Sequence, residues 1–280
     1  MTTELLQAGA TAVERCADLF AADPIGCNLA ANVIERGDDG RVVRVASETG
    51  TLGGAVEWGP GYTLTALRDG AHAAIAGALP AAGRIRLDGE VRDATTVAGH
   101  WSERTGGGFE SIEILRVYRL GELHPPDVPG SVAAADAAHL DNAARWAVAF
   151  GAEVGLDDDD DDDADAELAA RRAQVERATN EGRLWVWRVA GEAVAQLIVS
   201  TPCFGTVRIG GVFTPPELRG NGYAAALTAA VAGTERARPG VDEVMLTTQS
   251  SNAMTNRLYR RLGFEAVHEM LLLWLVAPES

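Results

Sequence analysis

The sequence predicts an α/β chain built from two consecutive halves, and three observations carry that prediction. Apolar runs of strand length alternate with runs of helical periodicity along the whole chain. A Pro- and Gly-rich seam, Gly121 to Gly130, interrupts the alternation after a long strand-like run. The length, 280 residues, exceeds a usual single domain and allows a sizeable core in each half. These place one α/β domain over residues 1–124, a linker over 125–130 and a second domain over 131–280.

In the second half the order reads helix from about Ala133 to Phe150, an acidic loop, helix Ala166 to Asn180, then strands Leu184 to Val189 and Ala193 to Ser200. A strand from Thr206 to Thr214 follows, then the Pro215-Pro216 stop, a Gly-containing turn and a helix through about Arg236. The chain closes with a strand from Glu243 to Gln249, a helix from Asn252 and further strands from Phe264. The last apolar run, Met270 to Val276, is far too short to span a bilayer and suits a buried strand. The first half reads as a helix from Glu4 to Ala21, then strands near Arg41 to Ser47, Gly54 to Trp58, Leu64 to Arg68, Arg84 to Leu87 and Ile112 to Tyr118, with helices between.

Arg219-Gly220-Asn221-Gly222-Tyr223-Ala224 lies at a strand-to-helix junction. A helix start gathers unpaired N–H donors and the positive end of the helix dipole, and glycines there let an anion approach the backbone closely. A pyrophosphate fits such a turn, and Arg219 adds a fixed positive charge. A plain turn remains an alternative, as does dinucleotide binding through Gly220-x-Gly222-x-x-Ala225. The dinucleotide reading is weakened because Pro215 to Arg219 separate the strand from the glycines and no acid ends the next strand.

About thirty residues later comes Asn252…Leu258-Tyr259-Arg260-Arg261-Leu262-Gly263-Phe264. At roughly 100° per residue, Asn252, Asn256 and Tyr259 share one helix face, while Met254, Leu258 and Leu262 share the opposite one. The expectation is that Tyr259 stands on the side away from the core.

Joined, these two segments resemble the GNAT superfamily of acyl-CoA-dependent N-acyltransferases. Arg219, Gly222 and Ala224 match its Arg-x-x-Gly-x-Gly/Ala signature, and Asn252, Leu258, Tyr259, Leu262, Gly263 and Phe264 match its Asn…Leu-Tyr-x-x-Leu-Gly-Phe signature. The resemblance covers about Ser131 to Ser280 and implies a mixed central sheet flanked by helices in that half. It implies that the amides of Arg219, Gly220, Asn221, Gly222, Tyr223 and Ala224 bind the pyrophosphate of acetyl-CoA. Val212, Phe213 and Thr214 would pair with the pantetheine arm, Asn252 and Asn256 would lie beside the cofactor, and Tyr259 would act with Asn252 in catalysis by protonating the leaving thiolate. The first half shows neither motif, so its similar alternation suits a degenerate copy of the same fold that has lost cofactor binding and packs against the catalytic half.

Many members of the superfamily deprotonate the amine through a Glu or a water chain, and this chain departs from the acidic version. Val207 to Thr214 contains no Asp or Glu, and Glu217 lies in the phosphate turn, where a base would be misplaced. Gln196, Gln249 and Glu269 lie on neighbouring strands whose facing the sequence does not fix, so no base is assigned.

Forty acidic and 24 basic residues give a net charge of −16, which repels a nucleic-acid backbone and favours a cationic acceptor. All basic residues are Arg, so no lysine side chain is present for self-acylation. Asp157 to Asp163 is an unbroken Asp run, read as a solvated loop or as a device that steers basic acceptors. Cys16, Cys27 and Cys203 show no paired spacing, and the His residues, including His72, His100 and His139, show no ligand spacing, so neither a disulfide framework nor a metal site is expected. Without a visible secretory signal or membrane span, a cytoplasmic setting is expected.

The expected function is transfer of an acetyl group from acetyl-CoA to a primary amine of a small molecule or peptide, by direct attack in a ternary complex. A non-catalytic acyl-CoA-binding or sensing module is the alternative. Acceptor, acyl length and oligomeric state lie beyond the sequence.

Overall fold

A computed structural model describes residues 1–37, 40–59, 61–155 and 164–278. The Asp157–Asp163 run lies outside the described residues. The first half runs β1 (Thr2–Gln7), α1 (Ala10–Ala22), α2 (Asn28–Arg36), β2 (Arg41–Ser47), β3 (Gly50–Trp58), β4 (Gly61–Leu64), α3 (Ala71–Ala78), β5 (Arg84–Glu90), α4 (Val91–Thr105) and β6 (Gly108–Leu120). The second half runs β7 (Ser131–Ala134), α5 (Leu140–Val154), α6 (Ala164–Asn180), β8 (Leu184–Val189), β9 (Glu192–Val199), β10 (Thr206–Phe213), α7 (Tyr223–Arg236), β11 (Glu243–Gln249), α8 (Ala253–Arg261) and β12 (Phe264–Val276). Short 3-10 turns precede α5 and α7. The order of strands and helices is the same in both halves, so the first half has the secondary-structure plan of the second.

All strands join one mixed sheet in the order β1-β2-β3-β4-β5-β12-β6-β11-β10-β9-β8-β7. Each half has one parallel pair at the same place, β4 with β5 and β10 with β11. The last strands are exchanged: β12 pairs with β5 of the first half, and β6 pairs with β11 of the second. β6 and β12 then pair with each other at the centre. Leu271, Leu273 and Leu275 of β12 are buried in the core formed with α3 and α4. Each fully buried leucine contributes roughly 1.5–3 kcal/mol, so this exchange couples the two halves energetically.

α5 and α6 cover one face of the second half against Leu184 and Val186, and α7 and α8 cover the other against Val207, Ile209, Val244 and Leu246. The first half repeats this with α1 and α2 on one face and α3 and α4 on the other. The β9–β10 turn of the second half reaches the α1–α2 layer, where Phe204 meets Phe20 edge-on at 5.3 Å.

The seam expected as a linker follows β6 and is pinned to the second half: the His124 amide bonds the Leu262 carbonyl and the Trp187 indole donates to the Pro129 carbonyl. Gly263 has φ +93° and its Cβ position lies 1.6 Å from the Glu122 carbonyl oxygen, so only glycine lets the seam pass there.

Some boundaries differ from the sequence reading. Residues 2–7 form an edge strand against β2, not the start of a helix, because Gly9 at φ +131° separates them from α1. Ala133 opens no helix; it lies in β7, and α5 starts at Leu140. The strand read over Leu64–Arg68 ends at Leu64, where the chain turns toward α3. The two short runs read near the C-terminus are one strand bent by a bulge between Ala266 and His268.

Candidate active site

β10 and β11 pair only from Thr206↔Glu243 to Ile209↔Leu246, although β10 continues to Phe213 and β11 to Gln249. Beyond that point they splay. A bulge in β10 between Gly210 and Phe213, with Gly211 at φ +58°, coincides with the opening. Among the described residues the β11-facing edge of Gly210 to Phe213 is therefore without a strand partner, a slot suited to an extended chain.

At the head of this slot the glycine turn leads into α7. Gly220 and Gly222 sit at φ +83° and +80°, which favours glycine, and Gly222 is the N-cap. The Asn221 side chain donates to the Leu218 carbonyl at 3.0 Å and folds the turn. Among the described residues, the amides of Gly220 through Ala225 make no hydrogen bond. Nothing lies within 4 Å of the Gly220 Cβ position. The Thr214 hydroxyl is buried and likewise has no hydrogen-bond partner among the described residues. A run of free donors at a helix start beside an open space fits a diphosphate.

The Arg219 guanidinium is tethered beside this turn. Its Nε donates to the Thr214 carbonyl at 2.9 Å, Nη2 pairs with Glu153 of α5 at 2.5 Å, and the group lies 5.7 Å from the Phe213 ring centre. Glu153, which the sequence reading did not single out, thus links α5 to the turn. Gln249 of β11 donates to the Val154 carbonyl, so the end of α5 spans the splayed strands.

In α8, Asn252 is the N-cap, its Oδ1 accepting from the Thr255 amide at 3.2 Å. Leu258 and Leu262 pack on the core as expected, but Asn256, Tyr259 and Met254 do not face as expected. Asn256 and Tyr259 are buried, whereas Met254 is 70% exposed. Internal hydrogen bonding decides this orientation. Asn256 Nδ2 donates to the Gln249 and Asn252 carbonyls at 2.9 and 2.7 Å, and its Oδ1 accepts from the Tyr118 hydroxyl at 2.7 Å and Arg116 Nη1 at 3.1 Å. Arg116 also pairs with Glu269 at 2.7 Å. With its carboxamide engaged on every side, Asn256 is positioned as a scaffold residue of the site, not as a free ligand.

Tyr259 packs between Tyr118 and Phe264, with ring centres 6.2 and 6.1 Å away. Its hydroxyl makes no hydrogen bond among the described residues, and burial pushes its pKa up to about 12. It shares a core cluster with Ala226 and Leu227 of α7, while no hydrogen bond or ion pair among the described residues joins α8 to the glycine turn. The strand residues weighed as bases are otherwise engaged. Gln196 bonds His139 and the Ala143 carbonyl, Gln249 holds α5, and Glu269 holds Arg116 on the α8 side of the sheet.

The corresponding turn of the first half is closed. The Ala66 amide donates to Cys27 Sγ, the Leu67 amide to the Asp93 carboxylate at 2.9 Å, and the Arg68 amide to the Leu52 carbonyl at 2.8 Å. Asp93 also pairs with His72 at 2.9 Å. With the N-caps Gly70 and Gly222 matched, Arg68 and Ala71 align with Gly220 and Tyr223, and both of their amides are bonded, Arg68 to the Leu52 carbonyl and Ala71 to the Arg68 carbonyl.

No helix among the described residues is long and apolar enough to cross a membrane, and none of them form a group of three or more metal-ligating side chains.

A search of curated proteins found no match. Among solved structures, the fold is similar to a GCN5-related N-acetyltransferase from Sphaerobacter thermophilus, at 17% identity and TM-score 0.61 over 99% of this chain and 97% of that one. It is similar to a GCN5-related N-acetyltransferase from Kribbella flavida, at 18% identity and TM-score 0.55 over 93% and 96%. A tandem GNAT protein from the clavulanic acid biosynthesis pathway aligns over the whole of both chains at 14% identity and TM-score 0.56. At these identities the likeness is one of fold. Residues 141–264 match the model of the acetyltransferase (GNAT) family, which spans the slot, the glycine turn and α8. Residues 141–264 thus form a domain that matches the GNAT acetyltransferase family, within a chain whose fold is similar to those structures.

Proposed function

We propose that the chain transfers an acetyl group from acetyl-CoA to a primary amine by direct attack in a ternary complex. The observation that carries this reading is the run of unbonded amides from Gly220 to Ala225 at the mouth of the β10–β11 splay. The amides hold the pyrophosphate, with Asn221 keeping the turn folded and Arg219 supplying positive charge beside it. Val212, Phe213 and Thr214 pair with the pantetheine arm along the open edge of β10, and the Thr214 hydroxyl gains a partner. Bound acetyl-CoA supplies an activated thioester carbonyl to the splay.

Tyr259 supplies the proton to the departing thiolate. Burial keeps the phenol protonated across the working pH range, and it makes a thiolate formed in the same apolar surroundings more basic, which offsets the higher phenol pKa. Asn252 holds the start of α8 and with it the position of Tyr259. The net charge of −16 favours a cationic acceptor and disfavours nucleic acid. A cytoplasmic setting completes this proposal.

The test is release of free thiol from acetyl-CoA with a panel of primary amines that includes spermidine and tyramine. Amine-dependent release supports the transferase. Tight acetyl-CoA binding without release by any amine would instead favour an acyl-CoA sensor.

A further inference from the structure

Helix α5 carries two apolar stripes, and the core uses one of them. Leu140, Ala143, Ala144 and Ala147 pack with Leu184 and Val186. Trp146 and Phe150 are half-buried and belong to none of the hydrophobic clusters among the described residues. Two large aromatic side chains left half-open on a helix that already has a packed face mark a binding wall.

The contacts of α5 fix where this second stripe points. Trp146 meets the Phe213 ring, centre to centre at 6.1 Å, and Glu153 pairs with Arg219 beside the glycine turn. Phe150 stands between them in the i, i+4, i+7 series Trp146, Phe150, Glu153. Phe213 lies opposite Gln196, whose side chain donates to the Ala143 carbonyl, so the Phe213 ring is on the α5 face of β10. The bond from Gln249 to the Val154 carbonyl carries the end of the helix across to β11. The aromatic stripe therefore roofs the β10–β11 splay on the face opposite α8.

There is room under this roof. Gly210, the first β10 residue past the last pair with β11, lies opposite Ile198, which packs with α5. Its Cβ position thus faces α5, and nothing lies within 4 Å of it. Thr247, the first β11 residue past the same pair, is half-buried and forms the other rim. The α8 face is filled instead by Tyr118, Tyr259, Leu262 and Phe264. An acceptor must therefore reach the splay from the α5 face.

We propose that this pocket, lined by Gly210, Phe213, Thr247, Trp146 and Phe150, holds the body of the acceptor, and that the acceptor is an arylalkylamine, a primary amine joined to an aromatic ring by a short aliphatic linker. The inference rests on the acetyltransferase reading and narrows its acceptor. The amine lies at Gly210, where the splay opens, and the ring packs on Phe150 and Trp146. Aromatic walls favour ring contacts and also attract a cation, in keeping with the net charge of −16. The carboxylate on the stripe, Glu153, is taken by Arg219, so this wall gives the second ammonium of a polyamine no partner. In the transfer the amine nitrogen forms an N–C bond as the C–S bond breaks. From the ammonium form and acetyl-CoA the products are one amide, one free thiol and one proton, which leaves to solvent.

The test compares 2-phenylethylamine with ethylamine, which share the aminoethyl group and differ by the ring. Thiol release from acetyl-CoA is measured for the parent, Phe150→Ala and Phe150→Leu, with acetyl-CoA binding followed by calorimetry. The parent should prefer 2-phenylethylamine by about 30-fold in kcat/KM, the effect of burying a phenyl group. Phe150→Ala should cut that preference about tenfold, chiefly through KM, with acetyl-CoA affinity held. Phe150→Leu, which keeps much of the apolar volume, should fall between the two. A parent without the preference overturns the inference, as does thiol release with spermidine but with neither tyramine nor 2-phenylethylamine. So does a Phe150→Ala variant that keeps the preference and loses acetyl-CoA affinity, since the roof then packs the cofactor. If Phe150→Ala does not melt cooperatively, Phe150→Leu decides, and an unchanged preference overturns the inference. Each of these outcomes leaves the acetyltransferase reading standing. A parent that binds no acetyl-CoA, or releases no thiol with any of these amines, overturns both.

Discussion

The Tyr118 hydroxyl donates to the Asn256 carboxamide at 2.7 Å and ties α8 of the second half to β6, a strand contributed by the first. The same carboxamide receives Arg116 and donates to two carbonyls at the β11–α8 corner. Asn256→Ala leaves these groups buried and unpaired, so a loss of about 3 kcal/mol is expected. For a chain of this size that corresponds to a fall in Tm of roughly 5 °C, measurable by calorimetric or optical melting.

Tyr259→Phe separates chemistry from stability. The hydroxyl has no hydrogen-bond partner among the described residues, so its removal should leave stability at pH 7 within about 0.5 kcal/mol. Acetyl-CoA affinity should also hold, whereas kcat should fall about 100-fold. Because the folded-state pKa is raised from 10.0 to about 12, Tyr259 contributes stability that is full below pH 10 and lost as pH rises through 12. Denaturant titrations across that range should show a steeper alkaline decline for the parent than for the Phe variant.

The cysteines should be inert in the folded chain. Burial pushes the thiol of Cys16 up to about 11 and those of Cys27 and Cys203 up to about 12, so almost no thiolate exists at pH 8. A thiol-specific reagent at that pH should react with none of them before denaturant is added, and with all three afterwards.

Local features were legible in the sequence, and features that depend on distant partners were not. Gly220 and Gly222 announce their turn because positive φ and an open backbone are properties of a few consecutive residues. Asn252 likewise reads as a helix start and is one. On α8, Leu258 and Leu262 face the core as their apolarity implies, but the inward facing of Asn256 is not legible locally, because it is held by Arg116 and Tyr118, 140 and 138 residues away. Strand exchange between β6 and β12 has no local signature, so the Pro-rich seam marks the chain halves but not how they interlock.

The first half should bind no acyl-CoA of its own. In its β4–α3 turn the Ala66, Leu67 and Arg68 amides are taken by Cys27, Asp93 and Leu52 and the Ala71 amide by the Arg68 carbonyl, and α3 has eight residues where α7 has 14. One acetyl-CoA per chain is therefore expected.

The most direct test of the account is calorimetric titration of acetyl-CoA into the parent and into Gly222→Trp. Gly222 sits at φ +80°, and its Cβ position is 3.1 Å from a Val128 methyl, so a bulky side chain there must displace the turn that gathers the free amides. Saturation at one equivalent by the parent, and no binding by a variant that still melts cooperatively, is the predicted result. Absence of binding by the parent, or undiminished binding by Gly222→Trp, would contradict the assignment of the Gly220–Ala225 turn as the acyl-CoA site.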